Sequence, residues 1–173
     1  MSRVGGPSGL QIQRSGSGGG TWESLGTMPA RVWHLAASLV DPDTVYAASE
    51  DAALLRSTDA GERWDELPGL RQHGIGAPMK SEAEDFPLDG KLRVYRSRSG
   101  GAKWKPLTTG LPQRDCYVSV PRSALAADTI APCGLYFGTT GGTVYGSNDG
   151  GDSWTPIVRD LPPVNSVEVQ TMA

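Results

Sequence analysis

The chain has 173 residues and a formal net charge of −3. This length fits one domain with its own core, so we predict a single domain over residues 1–173. Binding to a phosphate backbone needs clustered Lys and Arg, and the acidic balance therefore argues against a nucleic-acid partner. The 23 glycines and 13 prolines lie between short apolar runs, which is typical of an all-β protein with many turns.

The sequence also carries expectations about the compartment. Residues 1–20 lack the apolar core of a secretory signal, and no apolar run approaches the ~18 residues of a membrane span. The two cysteines, Cys116 and Cys133, could pair, but in a chain of this size they more often remain thiols. We expect a cytoplasmic protein with no membrane partner, although a truncated N-terminus would hide an export signal.

Four eight-residue segments, each running from a serine to a tryptophan, align without gaps. We call them boxes 1 to 4: residues 15–22 (SGSGGGTW), 57–64 (STDAGERW), 97–104 (SRSGGAKW) and 147–154 (SNDGGDSW). Their serines lie 42, 40 and 50 residues apart (57−15, 97−57 and 147−97). A spacing near forty is that of a four-stranded propeller blade. The repeat therefore predicts an all-β fold, a β-propeller of about four blade units.

Each box position has a role in a predicted hairpin corner. The third residue accepts hydrogen bonds from backbone N–H groups of its own turn, and Ser17 and Ser99 do so more weakly than an aspartate. The fifth residue, glycine, supplies a positive φ. The tryptophan starts the next strand, and we expect its indole to be buried. The structural box residues are Ser15, Gly19, Trp22, Ser57, Asp59, Gly61, Trp64, Ser97, Gly101, Trp104, Ser147, Asp149, Gly151 and Trp154.

The strand patterns give the four units different completeness. The units span about residues 9–27, 31–69, 91–110 and 115–158. The first and third have room for only two strands each, whereas the second and fourth predict four. We predict Cys116–Val120 as the first strand of the fourth unit and an irregular loop over residues 70–90. A trailing strand over 164–171 would complete the first unit and close the ring, and a fragment of a larger propeller is the alternative.

The pattern Ser-x-Asp-x-Gly-x-x-Trp resembles the Asp-box, or BNR repeat, of sialidases and other propellers. Boxes 2 and 4 match it fully. Together with residues 91–96, 134–140 and 161–164, it makes about two-thirds of the chain similar to bacterial sialidase-like, exo-α-sialidase-type glycosyl hydrolases. For a shared activity, the resemblance implies an arginine cluster that grips a carboxylate, a Tyr–Glu nucleophile pair and an Asp acid–base.

The residues support that activity weakly. Candidate substrate arginines are Arg31, Arg56, Arg93, Arg96 and Arg122. The Arg-Ile-Pro signature of sialidases is absent, and Arg14, Arg56 and Arg96 each precede a box serine, which indicates a structural role. We therefore identify no catalytic residue.

The remaining polar groups favour structural interpretations. The three carboxylates of Ser81–Asp85 are interpreted as solvated loop charge, and Thr139–Thr143 as a hairpin turn rather than a phosphate loop. His34, on an inner strand, and His73 are too few for a zinc site. One aspartate per box, Asp59 or Asp149, is too little charge for calcium. We expect no metal and no cofactor.

The leading hypothesis is a non-catalytic propeller that binds a protein or carbohydrate ligand through loops on one face. The alternatives are a sialidase-like glycoside hydrolase and a truncated propeller with no independent activity.

Overall fold

The computed structural model describes residues 10–49, 53–73 and 87–170. The chain divides into two compact units, one of Met1–Pro78 with Ser99–Lys103 and one of Met79–Arg98 with Trp104–Ala173. That both units belong to one domain stays a prediction. In the described ranges, no helix has the length and apolar character needed to cross a bilayer.

Unit 1 contains a two-stranded hairpin followed by a four-stranded antiparallel meander in the order β3-β4-β5-β6. Its strands are β1 (Leu10–Arg14), β2 (Glu23–Met28), β3 (Val32–Ala37), β4 (Val45–Ser49), β5 (Leu54–Ser57) and β6 (Asp65–Glu66). Ile12 from the hairpin and Val32, Ala47 and Leu55 from the meander are buried in one core. The strands lie where the apolar runs of the sequence place them.

Unit 2 likewise contains one two-stranded and one four-stranded sheet. Its strands are β7 (Val94–Arg96), β8 (Lys105–Leu107), β9 (Leu125–Ala127), β10 (Leu135–Gly138), β11 (Val144–Ser147) and β12 (Thr155–Val158). Phe137 is at the centre of the core, with its ring centroid 5.1 Å from that of Tyr145 and 4.9 Å from that of Trp154. Burial raises the pKa of the Tyr145 hydroxyl.

The two four-stranded sheets have the same register. In unit 1, Tyr46 on the second strand faces Ala36 on the first and Arg56 on the third. In unit 2, Tyr136 faces Ala126 and Gly146 at the same places. The two sheets are therefore copies of one blade, and Gly146 stands where the earlier copy has Arg56.

The first strand of the second copy is Leu125–Ala127, and the prediction of a strand at Cys116–Val120 is wrong. Residues 116–120 contribute single hydrogen bonds instead, such as the one from Thr140 N to Ser119 O at 2.9 Å. The polar and proline residues that follow separate this apolar run from the sheet. A usable signal was present, because the Leu-Ala-Ala of residues 35–37 on β3 recurs at 125–127.

The trailing segment pairs with its own unit. Val164 N donates to Thr139 O at 3.1 Å and Val167 N to Ser123 O at 3.0 Å, beside one isolated parallel bridge between Ser123 and Ser166. Over 164–170, the described part of the predicted closing strand, the structure therefore has this bridge and not a strand that completes the first unit.

The predicted loop over 70–90 is described only at its ends. These ends contain 3-10 turns, Pro68–His73 and Leu88–Gly90, and residues 74–86 lie outside the described ranges.

Candidate functional site

Every box forms a hairpin corner, and in boxes 2 and 4 the aspartate holds the turn. Asp59 Oδ1 accepts hydrogen bonds from Arg63 N and Ser57 Oγ, both at 2.8 Å. Asp149 Oδ1 accepts from Ser153 N at 2.9 Å and from Ser147 Oγ at 2.7 Å. The bond from the Arg63 backbone lowers the pKa of Asp59, and the bond from the Ser153 hydroxyl lowers the pKa of Asp149. These carboxylates are therefore engaged as acceptors within their own turns.

In boxes 1 and 3 a serine makes the corresponding bond. Ser17 Oγ accepts from Thr21 N at 2.7 Å, and Ser99 Oγ accepts from Lys103 N at 2.8 Å. Like the aspartates, each bonds to the N–H four residues further on. The difference is that the serine acceptors are uncharged, so these two corners lack the charge-assisted bond of the other two.

The fifth position of each box has the left-handed conformation that the repeat predicts. The φ angles are 98°, 96°, 93° and 94° for Gly19, Gly61, Gly101 and Gly151. The last three glycines are buried, whereas Gly19 is exposed.

The four tryptophans differ in burial. Trp154 is only 3% exposed, Trp64 and Trp104 are half-buried, and Trp22 is 46% exposed. The expectation of a buried indole is therefore wrong for Trp22. Its ring has the same anchor as that of Trp64, since both donate from Nε1 to the carbonyl of their box's fifth residue, but no covering layer buries it.

The arginines that precede box serines bind backbone of the next box. Arg14 Nη1 donates to the carbonyl of Ala60 at 3.3 Å and Arg56 Nη1 to that of Gly100 at 3.3 Å. Arg96 Nη1 donates to Gly150 O at 2.6 Å. Each acceptor is the fourth residue of its box. Arg14, Arg56 and Arg96 therefore connect successive blades, as their repeat position indicates.

Two of these arginines also meet a carboxylate at the sixth box position. Arg14 Nη2 lies 3.6 Å from Glu62, and Arg96 Nη2 lies 2.7 Å from Asp152. Box 3 has Ala102 at that position. Arg56 therefore has no carboxylate at that position, and separately its buried Nε has no hydrogen-bond partner.

The other candidates have separate surroundings within their own units. Arg93 lies 3.8 Å from Asp89 in unit 2. His34 is exposed on β3, and His73 lies in a 3-10 turn of unit 1. Among the described residues, no group of three or more His, Cys, Asp or Glu side chains is placed to hold a metal ion. The acidic run Ser81–Asp85 lies outside the described residues.

The remaining sequence candidates are structural. Cys116 is a buried free thiol and Cys133 an exposed one. Thr139 Oγ1 donates to Thr143 O at 3.1 Å, which closes a hairpin turn between β10 and β11.

The β3–β4 loop combines firm anchoring with exposed apolar side chains. Ser38 Oγ accepts from Val40 N and Asp41 N, both at 3.2 Å. Asp41 accepts from the Thr44 hydroxyl at 2.7 Å, and Ala60 N of box 2 donates to the backbone of the same loop at 2.8 Å. Leu39 and Val40 at its tip are each 94% exposed. The loop therefore displays two aliphatic side chains on a hydrogen-bonded frame.

The corresponding β9–β10 loop of unit 2 is built in a similar way. Asp128 Oδ1 accepts from Ile130 N at 3.1 Å and from Gly134 N at 2.8 Å. Ile130, at the tip, is 57% exposed. Sequence reasoning missed the exposed aliphatic side chains of both loops, although an aliphatic residue between turn-forming Ser, Asp and Pro residues is a readable signal.

The comparisons with known proteins agree with this architecture. No family model matches the chain. It is 27% identical over 162 residues to a xyloglucanase of a Paenibacillus species, which covers 71% of this chain. The chain spans 16% of that enzyme.

Several solved structures resemble the chain, and two of them illustrate the similarity. An ancestral GH74 enzyme has a TM-score of 0.55 at 19% identity, over 84% of this chain and 21% of that one. YCF48 from Cyanidioschyzon merolae has a TM-score of 0.54 at 17% identity, over 78% and 42%. Both are β-propellers, so the chain has a β-propeller fold, as the box spacing predicts. The hydrolase likeness is to a xyloglucanase and not to a sialidase, which corrects the finer part of the sequence-based resemblance.

Proposed function

We propose that this chain is a non-catalytic β-propeller scaffold that recognises a protein partner through the β3–β4 loop. The exposure of Leu39 and Val40 on an anchored loop is the observation that carries the proposal. A loop that is already ordered loses little conformational entropy when it binds. The box carboxylates and the arginines before the box serines already have structural partners, which also favours a scaffold over an enzyme.

The size of the expected contribution follows from apolar burial. Complete burial of a leucine or valine side chain stabilises by roughly 1.5–3 kcal/mol. Burying both Leu39 and Val40 therefore contributes about 3–6 kcal/mol before the entropic costs of association are subtracted, so the net gain in affinity is smaller.

A cross-linking experiment tests this site. Photo-leucine is placed at position 39 in the cells that produce the protein naturally, and light cross-links it to a partner bound there. The cross-linked partner is then identified, and its free form is purified for binding measurements. We expect the Leu39→Ser, Val40→Ser double variant to bind that protein at least about tenfold more weakly. Leu125→Ser, which changes an exposed leucine on β9, is the matched control and should bind normally. Equal binding by the double variant and the wild type would overturn the proposal.

A second candidate function is hydrolysis of xyloglucan, favoured by the 27% identity to a xyloglucanase. Release of reducing ends from xyloglucan by the purified chain tests it directly. Turnover that one Asp or Glu substitution abolishes would establish a hydrolase and contradict the non-catalytic scaffold. The absence of both turnover and binding of xyloglucan would remove this candidate.

A further inference from the structure

Three arginines occupy the same place in the repeat and make the same first contact. Arg14, Arg56 and Arg96 each donate from Nη1 to the carbonyl of the fourth residue in the next box. At two of these contacts the next box also brings a carboxylate to Nη2, with Glu62 at 3.6 Å from Arg14 and Asp152 at 2.7 Å from Arg96. The chain therefore shows twice which chemical group the Nη2 of such an arginine binds.

Arg56 lacks this carboxylate. Box 3 has Ala102 at the sixth position, and a methyl group cannot accept a hydrogen bond. Within the described ranges, the bond from Nη1 to Gly100 O is the hydrogen bond that Arg56 makes, and no ion pair includes its side chain. Separately, its Nε is buried and has no partner. Arg56 is thus a partly buried cation with donors to spare, since every nitrogen of a guanidinium carries N–H groups.

The cross-strand neighbour of Arg56 does not replace the missing group. Glu23 faces Arg14 across β1 and β2 and accepts a hydrogen bond from its Nε at 2.8 Å. Asp65 faces Arg56 across β5 and β6 in the same way. Its side chain is one methylene shorter, and among the described residues it forms no ion pair with Arg56. Arg14 therefore binds two carboxylates and Arg56 binds none.

The place of the missing carboxylate is open to solvent and is not acidic. Ala102 is exposed, as are Glu62 and Asp152 at the other two contacts. Box 3 contains Lys103 and no acidic residue, whereas boxes 2 and 4 each contain two. A guanidinium suits a carboxylate because its planar N–H groups match the two oxygens. The bond to Gly100 O holds the Arg56 guanidinium in position before a ligand arrives.

We propose that Arg56 is a binding site for the carboxylate of a ligand, which takes at Nη2 the place that Glu62 and Asp152 fill at the other two contacts. The ligand is a carboxylate of a small organic acid or of an acidic side chain in a peptide, since the group that is recognised is the same. Arg56 and residues 99–103 of box 3 belong to one compact unit. The site uses neither Leu39 nor Val40 and does not depend on the proposed function.

An NMR titration of the purified chain tests the site, with the Nε–H resonance of Arg56 as the readout. The resonance is assigned by its loss in Arg56→Lys. The probes are sodium acetate and the capped peptide acetyl-Gly-Glu-Gly-amide at constant ionic strength, and acetyl-Gly-Gln-Gly-amide is the uncharged control. We expect a saturable shift with a Kd on the order of 10 mM, since the binding rests on one charge-assisted pair.

The two probes distinguish the sources of the carboxylate. Binding of the glutamate peptide at least about threefold tighter than acetate would support the proposal with an acidic side chain as the ligand. Equal affinity would support it with a small organic acid. The glutamine peptide should leave the resonance unshifted, and a shift equal to that with the glutamate peptide would overturn the proposal.

A matched pair of variants tests the location. Ala102→Glu places a tethered carboxylate where the free one would bind, so it should weaken acetate binding at least about tenfold. Ala102→Gln has the same length without the charge and should bind acetate like the wild type. Thermal unfolding checks that each variant is folded.

Three results would overturn the proposal. The first is the absence of a saturable shift in the wild type up to about 100 mM acetate. The second is equal binding by the glutamate and glutamine variants. The third is binding that appears only in Asp65→Asn, because Asp65 would then neutralise Arg56 in solution.

Discussion

At the scale of single residues, equal positions in the repeat have unequal surroundings. Trp154 lies under a full layer and stacks edge-on against Phe137 at 4.9 Å. Trp22 has the same sequence position but is 46% exposed, and its Nε1 donates to Gly19 O, whereas the buried Trp154 Nε1 has no hydrogen-bond partner. The hydrogen bond from the seventh-residue N–H to the third-residue side chain thus recurs in all four boxes, whereas the burial and bonding of the tryptophan differ from box to box.

This difference predicts unequal costs for the same substitution. Trp154→Ala should lower the free energy of unfolding by about 3–5 kcal/mol, because it removes a large buried ring. Trp22→Ala should cost less than about 1 kcal/mol, since the ring is half in solvent. Urea unfolding followed by circular dichroism measures both. Equal losses would show that the two corners are packed alike, contrary to the structure.

At the scale of elements, the arginine contacts act as connectors between hairpin corners. Two of the three arginines bind both a carbonyl and a carboxylate of the next box, and Arg56 faces Ala102 instead. The contact of Arg56 with box 3 therefore has the carbonyl bond but lacks the ion pair of the other two contacts.

Ala102→Glu should complete it. A partly exposed ion pair adds roughly 0.2–1 kcal/mol, so we expect a gain of that order in unfolding free energy at low salt. Ala102→Gln is the control of equal size without charge. If the glutamine variant gains as much as the glutamate variant, the effect does not come from pairing with Arg56.

How far the sequence predicts these elements depends on how local their causes are. The box corners, the glycine φ angles and the paired strands follow from short-range turn chemistry and alternation, and they lie where predicted. The first strand of the second full blade was misassigned because an apolar run, Cys116–Val120, resembles a strand by itself. In the structure, the second strand of this blade, Leu135–Gly138, pairs with Leu125–Ala127 instead. That pairing depends on strand register, which an apolar run alone does not reveal.

The candidate site was harder to predict than the elements. The exposure of Leu39 and Val40 depends on the absence of any described neighbour over the loop tip, which sequence patterns do not encode. The roles of the arginines were indicated by their repeat position, but their acceptors are carbonyls 44 to 54 residues away.

At the scale of the whole molecule, the two box aspartates make stability depend on acid. Hydrogen bonds lower the folded-state pKa of Asp59 and Asp149 below the ordinary 3.8. A depressed folded-state pKa stabilises the folded protein above the unfolded-state pKa, and this stabilisation is lost as the pH falls. The contribution of these two carboxylates to the free energy of unfolding in urea should therefore be constant from neutral pH to about pH 5. It should decrease below about pH 4.

The variant Asp149→Ser separates this effect from general acid unfolding. It mimics boxes 1 and 3, keeps an acceptor for the turn and removes the titrating group. We expect lower stability at pH 7 and a smaller decrease below pH 4 than in the wild type. An unchanged acid decrease would mean that other carboxylates cause it.

The arginine contacts between successive boxes have an evolutionary consequence. Arg14, Arg56 and Arg96 each precede a box serine and bind the fourth residue of the next box, so a repeat gained or lost among these boxes leaves an arginine opposite a carbonyl at each boundary. A gene for such a chain can change its number of repeats by recombination in one event, and no compensating substitution is required at the new boundary.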